Sequence, residues 1–227
     1  VLTPDYIERK FGPFGKPTVK HQLIISAKAR REIVETNNPM VFASDTETIA
    51  RLVSSTYTVP NVSMRAEPSE GKLFPIETIR DMVASQLTNR VIAPGATKTR
   101  GQKLEELVAK LLGYVVDDGE LLAGDFPDIR NQMLEVKVQD SPTVDLGRSS
   151  PEFEEDVIPE LGITTRDVRY LIVLMNPENN TVQGIVLMPG RDLGEYFAYV
   201  PDTSYKCQRS MPMEFFDQYD GMAVFNP

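Results

Sequence analysis

The stretch GDFPDIRNQMLEVKVQ, residues 124–139, decides how this chain is interpreted. From Met133 to Val138 apolar and charged residues alternate, which is typical of a β-strand because successive side chains of a strand point to opposite faces. Glu135 and Lys137 are therefore expected to share one face, opposite the apolar residues. The pattern predicts a carboxylate next to an ammonium group at the surface of a sheet.

A turn before this strand is expected to bring a second carboxylate into range. Residues 130–132 (Arg-Asn-Gln) favour a turn, which would place Asp128 on the incoming segment next to Glu135 on the outgoing strand. Converging carboxylates repel each other unless a cation neutralises them, and an oxygen-rich site of this kind suits Mg²⁺. A bound Mg²⁺ polarises a phosphoryl oxygen and lowers the pKa of a bound water, while Lys137 can orient that water or stabilise negative charge. These residues predict phosphodiester hydrolysis.

The composition excludes other chemistries. The chain has 227 residues, 41% hydrophobic and 25% charged, which is typical of a soluble globular protein. No apolar run approaches the roughly 20 residues that a membrane span requires. A single cysteine, Cys207, and a single histidine, His21, exclude sites that need a pair of either, and the lone cysteine favours a reducing compartment such as the cytoplasm. Carboxylates and lysines must carry any catalysis.

The net charge of -9 at pH 7 is unevenly distributed. Residues 1–110 carry 16 Lys and Arg against 12 Asp and Glu, whereas residues 111–227 carry 8 against 21. Seven bases and two acids lie within the first 31 residues. This local excess indicates either a surface that faces a polyanion or an ordinary solvated surface.

Periodicity predicts both helices and strands. Helical spacing and capping signals predict helices from His21 to Thr36, Asp45 to Tyr57, Ile76 to Val91 and Thr99 to Leu112. Short apolar runs predict strands at residues 114–116, 133–138, 170–175 and 181–188, the last two joined by a hairpin at 176–180.

The composition changes near Pro94 and Gly95, which indicates a domain boundary there. We therefore predict a mainly helical N-terminal region, residues 1–93, and an α/β region, residues 94–227. The N-terminal region matches no pattern that assigns it a function, and nucleic-acid contact and dimerisation are both open to it.

The motif spacing resembles a known family. Pro127-Asp128, six residues, and then Glu135-Val136-Lys137 resemble the signature of the PD-(D/E)XK nuclease superfamily, which includes most type II restriction endonucleases. A Gly-Gln-x-Leu-Glu segment at residues 101–105 is similar to the helix that precedes this motif in the MutH-like branch. The loop at residues 144–148 and the basic cluster at 166–169 also resemble that branch, except that arginines stand where the family has lysine. The resemblance spans roughly Thr99 to Pro189.

This resemblance implies a role for each site residue. Asp128, Glu135 and the Val136 carbonyl would bind one or two Mg²⁺ ions, Lys137 would position the water, and Glu105 would act through water or a second metal. The implied fold is a restriction-endonuclease-like mixed β-sheet core flanked by helices. Basic and polar residues near the motif are candidates for DNA contact; they are Lys98, Arg100, Lys103, Arg148, Ser149, Arg166 and Arg169.

The function that the resemblance implies is a type II restriction endonuclease. Such an enzyme cleaves a short sequence of double-stranded DNA with Mg²⁺ and is commonly a homodimer, since a two-fold symmetric site suits a two-fold symmetric protein. A nicking DNA repair endonuclease of the MutH type is the alternative within nucleases. A non-catalytic DNA-binding domain on an eroded nuclease core, or a protein-interaction domain with an acidic C-terminal half, are the alternatives outside catalysis.

Overall fold

The computed structural model describes residues 1–15, 18–56, 58, 62–92, 97–116, 126–201, 204–206 and 211–227. The helices in these ranges are α1 (Pro4–Phe11), α2 (Ala27–Val34), α3 (Glu47–Ala50), α4 (Ile76–Leu87), α5 (Thr97–Leu111) and α6 (Met213–Asp217). The strands are β1 (Thr18–Ile25), β2 (Met40–Phe42), β3 (Leu134–Gln139), β4 (Thr143–Gly147), β5 (Asp156–Ile158), β6 (Ile163–Thr164), β7 (Arg169–Met175), β8 (Val182–Pro189), β9 (Phe197–Tyr199) and β10 (Ser204–Lys206). None of the described helices is long and apolar enough to cross a membrane.

The chain divides into two compact units that do not coincide with the predicted division at residue 93. One unit combines residues 1–20 with 202–227, and the other comprises residues 21–201. In the smaller unit the rings of Phe11 and Phe215 meet edge to face at 5.0 Å between centroids. The predicted boundary at Pro94 and Gly95 lies outside the described residues.

A four-stranded mixed sheet forms the centre of the larger unit. Its strand order is β2-β8-β7-β3, in which β7 and β8 are antiparallel and the two outer strands run parallel to their neighbours. Every residue of β7 is buried, which explains its unbroken apolar run. The mixed α/β class is therefore confirmed, as are the three predicted strands and the hairpin in this sheet.

The two faces of the sheet bury separate hydrophobic clusters. The first cluster packs helices α4 and α5 onto one face, and its buried sheet residues are Leu134, Val136, Leu171, Val173, Met175, Val182, Ile185 and Leu187. The second cluster packs β1, β4 and α2 onto the other face, and its sheet residues are Tyr170, Ile172, Leu174, Val186 and Met188. Glu135 and Lys137 alternate with the apolar residues of β3, so their side chains leave on the face of the second cluster.

The predicted helix from His21 to Thr36 is wrong over its first part. Residues 18–25 form the strand β1, which pairs antiparallel with β4 and β9. The helix begins at Ala27, where Ser26 accepts a hydrogen bond from the Ala29 amide at 3.0 Å. Leu23 and Ile25 are buried two positions apart, which is strand spacing. Pairing with β4 and β9 therefore decides that this segment is a strand and not a helix.

The predicted helix from Asp45 to Tyr57 is also wrong in length. The predicted strand at residues 114–116 is wrong as well, because this segment is irregular. Helix α3 has four residues and is capped by Thr46, whose side chain accepts a hydrogen bond from the Ile49 amide. The backbone then leaves the helix to hydrogen bond with Leu73, whose carbonyl accepts from the Ser54 amide at 2.9 Å. Tyr57 lies outside the described residues. The helices predicted at 76–91 and 99–112 are confirmed as α4 and α5, although α4 ends at Leu87, four residues before its predicted end.

Candidate active site

The strand β3 carries the motif at the edge of the mixed sheet. One side of β3 is hydrogen bonded to β7 along its whole length. On the other side Leu134 and Ile129 exchange two backbone hydrogen bonds of 2.8 and 3.2 Å across a 3₁₀ turn at Arg130–Gln132. Met133 closes this turn with φ +51°. The turn that the sequence predicted is therefore present, and it brings Asp128 next to Glu135.

Two hydrogen bonds, each from a backbone amide to a carboxylate, connect the segments that carry the two motif acids. The Asp128 amide donates to Glu135 Oε2 at 2.9 Å, and the Val136 amide donates to Asp128 Oδ2 at 2.9 Å. Lys137 Nζ lies 3.4 Å from Asp128 Oδ2 and also contacts Glu135 Oε1. The structure thus brings together all three residues that the motif predicted, with Lys137 between the two carboxylates.

Glu105 reaches this cluster from helix α5, together with a residue that the sequence did not indicate. Arg65 Nη2 donates to Glu105 Oε1 at 2.8 Å, and Arg65 Nη1 donates to the Asp128 carbonyl at 2.5 Å. Both side chains are nearly buried, at 12% and 10% exposed. Arg65 lies in the loop before α4, where no local pattern marks it, so only the tertiary structure identifies it as part of the site.

Burial and mutual repulsion change the pKa values of these groups. Burial, and then the charge of Asp128, raise the pKa of Glu105 to about 7, although Arg65 and Lys137 lower it. The same two causes raise the pKa of the Glu135 carboxyl, against the lowering effect of Lys137. Burial lowers the pKa of Lys137, but Asp128 and Glu135 raise it more, so the group stays protonated. With all three carboxyl groups ionised, the cluster would carry one more negative charge than Arg65 and Lys137 neutralise, and the raised pKa values reflect this repulsion together with burial.

The oxygen donors of the cluster suit a hard divalent cation. The Val136 amide faces Asp128, and because the N–H and C=O of one strand residue point to the same edge, the Val136 carbonyl faces that edge as well. Mg²⁺ binds through one or two carboxylates and completes its shell with water and phosphate oxygens. Within the described ranges, no group of three or more His, Cys, Asp or Glu side chains is arranged to hold a metal ion. A cation here would therefore rely on Asp128, Glu135, the Val136 carbonyl and oxygens from outside the chain.

An open cleft of about 520 Å³ connects the motif with the loop after β4. Asp128, Glu135 and Lys137 line one part of it, and Arg148 and Ser149 line another. The structure therefore places the two predicted loop contacts in the same cleft as the motif. A guanidinium and a hydroxyl in this position can bind phosphate oxygens or base edges.

The predicted contacts at the start of α5 do not share this cleft. The Arg100 guanidinium pairs with Asp140 at 2.5 Å and is 12% exposed. Lys103 is exposed and lines a different cleft, with Arg90 and Lys110. The Lys98 side chain lies outside the described residues. The geometry of the motif cleft therefore does not support Lys98, Arg100 or Lys103 as DNA contacts beside the motif.

The predicted DNA contact through Arg169 is corrected by the structure. Arg169 is 0% exposed, and its guanidinium donates to both carboxylate oxygens of Asp45 at 2.7 Å and to the Phe74 carbonyl at 2.9 Å. Arg166 is exposed and lies 3.2 Å from Glu154, in a third cleft. The position of Arg169 at the start of a strand buried on both faces was a signal that its charge would be paired internally.

No family model, curated protein or solved structure matches this chain.

Proposed function

We propose that the protein is a Mg²⁺-dependent endodeoxyribonuclease of the PD-(D/E)XK type, built on a restriction-endonuclease-like core. The observation that carries the proposal is the convergence of Asp128, Glu135 and Lys137 in one cleft. Two carboxylates can bind the cation that phosphodiester hydrolysis requires, and the ammonium group beside them can act on the attacking water. Glu105 adds a third carboxylate to this cluster. An ordinary surface ion pair explains this arrangement poorly, because it would not bury the Glu135 carboxylate beside Asp128, a second carboxylate that repels it.

Each residue has a role that follows from its position. Asp128 and Glu135, with the Val136 carbonyl, would hold the cation, which when bound polarises the scissile phosphate and acidifies water. Lys137 keeps its proton beside these acids, so it can orient the attacking water and stabilise negative charge on the phosphate. Arg65 fixes Glu105 against the Asp128 backbone and sets the distance between the helix acid and the motif acids.

Double-stranded DNA is the proposed substrate, and a type II restriction endonuclease is the proposed class. Arg148 and Ser149 lie where a bound duplex could be contacted beside the reacting phosphate. The excess of acids in residues 111–227 would repel a polyanion elsewhere, so binding is expected to concentrate in this cleft. A homodimer would present two such clefts to the two strands of a symmetric site.

Cleavage of supercoiled plasmid with Mg²⁺ or with EDTA tests the proposal. Wild type is compared with Glu135→Gln and Lys137→Ala, and with Glu32→Gln as a control matched to the first variant, since the Glu32 side chain is 63% exposed in a helical i,i+4 pair with Lys28. The expected result is discrete linear fragments that require Mg²⁺ and disappear in the two motif variants only. Cleavage that persists in both motif variants would exclude this site as the catalyst.

The same experiment separates the alternatives. Nicked circles that never become linear would favour the nicking repair endonuclease. Metal-independent DNA binding without any cleavage would favour the non-catalytic DNA-binding domain, and no binding at low salt would favour a protein-interaction domain.

A further inference from the structure

The side chain of Tyr170 is buried on β7, the strand beside the motif strand β3. Tyr170 is 0% exposed, and its oxygen has no partner within the part of the chain that the structure describes. Burial of an unsatisfied hydroxyl opposes folding, and native structures contain few such groups. The position of this one, on the strand beside the motif strand, suggests that its partner belongs to another state of the site.

Tyr170 and Glu135 are neighbours on one face of the sheet. The two residues are directly in register on the parallel strands β7 and β3. Val136 and Leu171, the next in-register pair, pack into the cluster on the opposite face. Because side chains alternate along both strands, Tyr170 and Glu135 lie side by side on the face of the second cluster. Leu146, which lines the catalytic cleft, belongs to that same cluster.

The Glu135 carboxylate can accept a further hydrogen bond. Its Oε1 contacts Lys137, and its Oε2 accepts from the Asp128 amide at 2.9 Å. An ionised carboxylate has about four lone-pair positions, so both oxygens retain acceptor capacity. The Lys137 side chain is 22% exposed and reaches the cleft, whereas the Glu135 side chain is 4% exposed. Lys137 is the more exposed of the two partners, so it is the one that can leave the Glu135 carboxylate when a cation binds there.

We propose that Tyr170 is a positioning residue of this site, whose hydroxyl donates to the Glu135 carboxylate when a divalent cation replaces the Lys137 ammonium as its counter-charge. The inference rests on the proposed metal-dependent function. The hydrogen bond would hold Glu135 in its metal-binding orientation and leave Lys137 free to face the substrate. Groups that orient a metal ligand in this way typically change metal affinity by about 10- to 100-fold when removed.

The electrostatic surroundings keep the hydroxyl available as a donor. Burial, and then the charge of Glu135, raise the pKa of Tyr170 well above its ordinary value. In the metal-free protein the phenol is therefore protonated at neutral pH. A protonated phenol next to an ionised carboxylate can only act as the donor of the pair.

Mn²⁺ binding measured by titration calorimetry tests this role without relying on catalysis. Wild type is compared with Tyr170→Phe, which removes only the hydroxyl. Tyr6→Phe is the matched control, because the Tyr6 hydroxyl is also buried without a partner among the described residues but belongs to the other compact unit. We expect Tyr170→Phe to raise the Kd for Mn²⁺ by roughly 3- to 10-fold, below the usual range because Asp128 also holds Glu135. Tyr6→Phe should bind as wild type does, and neither variant should lower the Tm of the metal-free protein.

The possible results lead to different conclusions. Equal Kd values for wild type and Tyr170→Phe would overturn the role of Tyr170 and leave the metal site standing. A lower metal-free Tm in Tyr170→Phe alone would also overturn it, because the hydroxyl would then be structural. Absence of Mn²⁺ binding in the wild type would overturn the proposed function, and this inference with it.

Discussion

Two groups of charged residues lie on adjacent strands and differ in how their charges are neutralised. The first is the buried pair of Arg169, at the start of β7, with Asp45. The second, the motif cluster, consists of Asp128, Glu135, Lys137 and Glu105 around β3. Arg169 gives two hydrogen bonds to Asp45 and further bonds to carbonyl oxygens, with no exposure. In the motif cluster, burial and repulsion raise the pKa values of Glu105 and Glu135. A satisfied ion pair fixes the fold, whereas carboxylates that repel each other beside a cleft would be stabilised by a bound cation, as the proposed function requires.

Removal of one partner from the buried pair should have the largest effect on stability. Asp45→Ala leaves the Arg169 guanidinium buried without its carboxylate, which is expected to lower the free energy of unfolding by about 3 to 5 kcal/mol. Urea denaturation followed by circular dichroism measures the change. Glu154→Ala is the control, because its pair with Arg166 is exposed and should contribute less than about 1 kcal/mol. A loss below about 1 kcal/mol in Asp45→Ala would remove the distinction between the two regions.

The motif cluster should show the opposite behaviour, with a large effect on activity and a small one on stability. Glu135→Gln keeps the shape of the side chain but removes the charge that would hold the cation. We expect the single-turnover cleavage rate to fall by about 100- to 1,000-fold, equivalent to about 3 to 4 kcal/mol in the barrier. The midpoint of urea denaturation in EDTA should be unchanged or higher, since a buried repulsive charge is gone. A variant that unfolds more readily and cleaves normally would show that Glu135 is structural.

The stability of the metal-free protein should depend on pH through Glu105. Its pKa is raised from 4.5 to about 7 in the folded state, so the folded protein holds a proton that the unfolded chain has released. The resulting stabilisation is fully present below about pH 4.5 and is lost as the pH rises through about 7. Relative to Glu105→Gln, wild type should lose about 1 to 2 kcal/mol between pH 5 and pH 8, less than the full shift implies because solvent reaches part of the site. Parallel stability curves for the two proteins in EDTA would contradict this expectation.

The smallest expected effect concerns DNA binding at the cleft. Arg148→Ala should weaken the binding of duplex DNA, measured in Ca²⁺ so that it is not cleaved, by about 3- to 10-fold. The slope of log K against log salt concentration should become shallower by about one. Arg166→Ala is the matched control, since Arg166 is exposed and lines a different cleft. Fluorescence anisotropy at several salt concentrations measures both. Equal losses in the two variants would mean that the duplex is not bound preferentially at the cleft of the motif.

The sequence could predict those parts of the site that depend on local periodicity. Strand alternation placed Glu135 and Lys137 on one face, and the turn at residues 130–132 brought Asp128 to them. These contacts span at most nine residues. Helix α5 was predicted for the same reason, because its apolar face repeats with the helical period.

The tertiary structure alone decided the elements that depend on distant partners. Arg65 meets the site across 63 residues of chain and Arg169 meets Asp45 across 124, so no local pattern indicates either contact. Residues 21–25 form a strand because β4 and β9 pair with them, although their apolar spacing also fits a helix. The spacing of the motif residues was thus determined by the sequence, since periodicity acts over a few residues. The charge balance around the motif was decided by packing, which alone determines which groups lose water and which distant residues neutralise them.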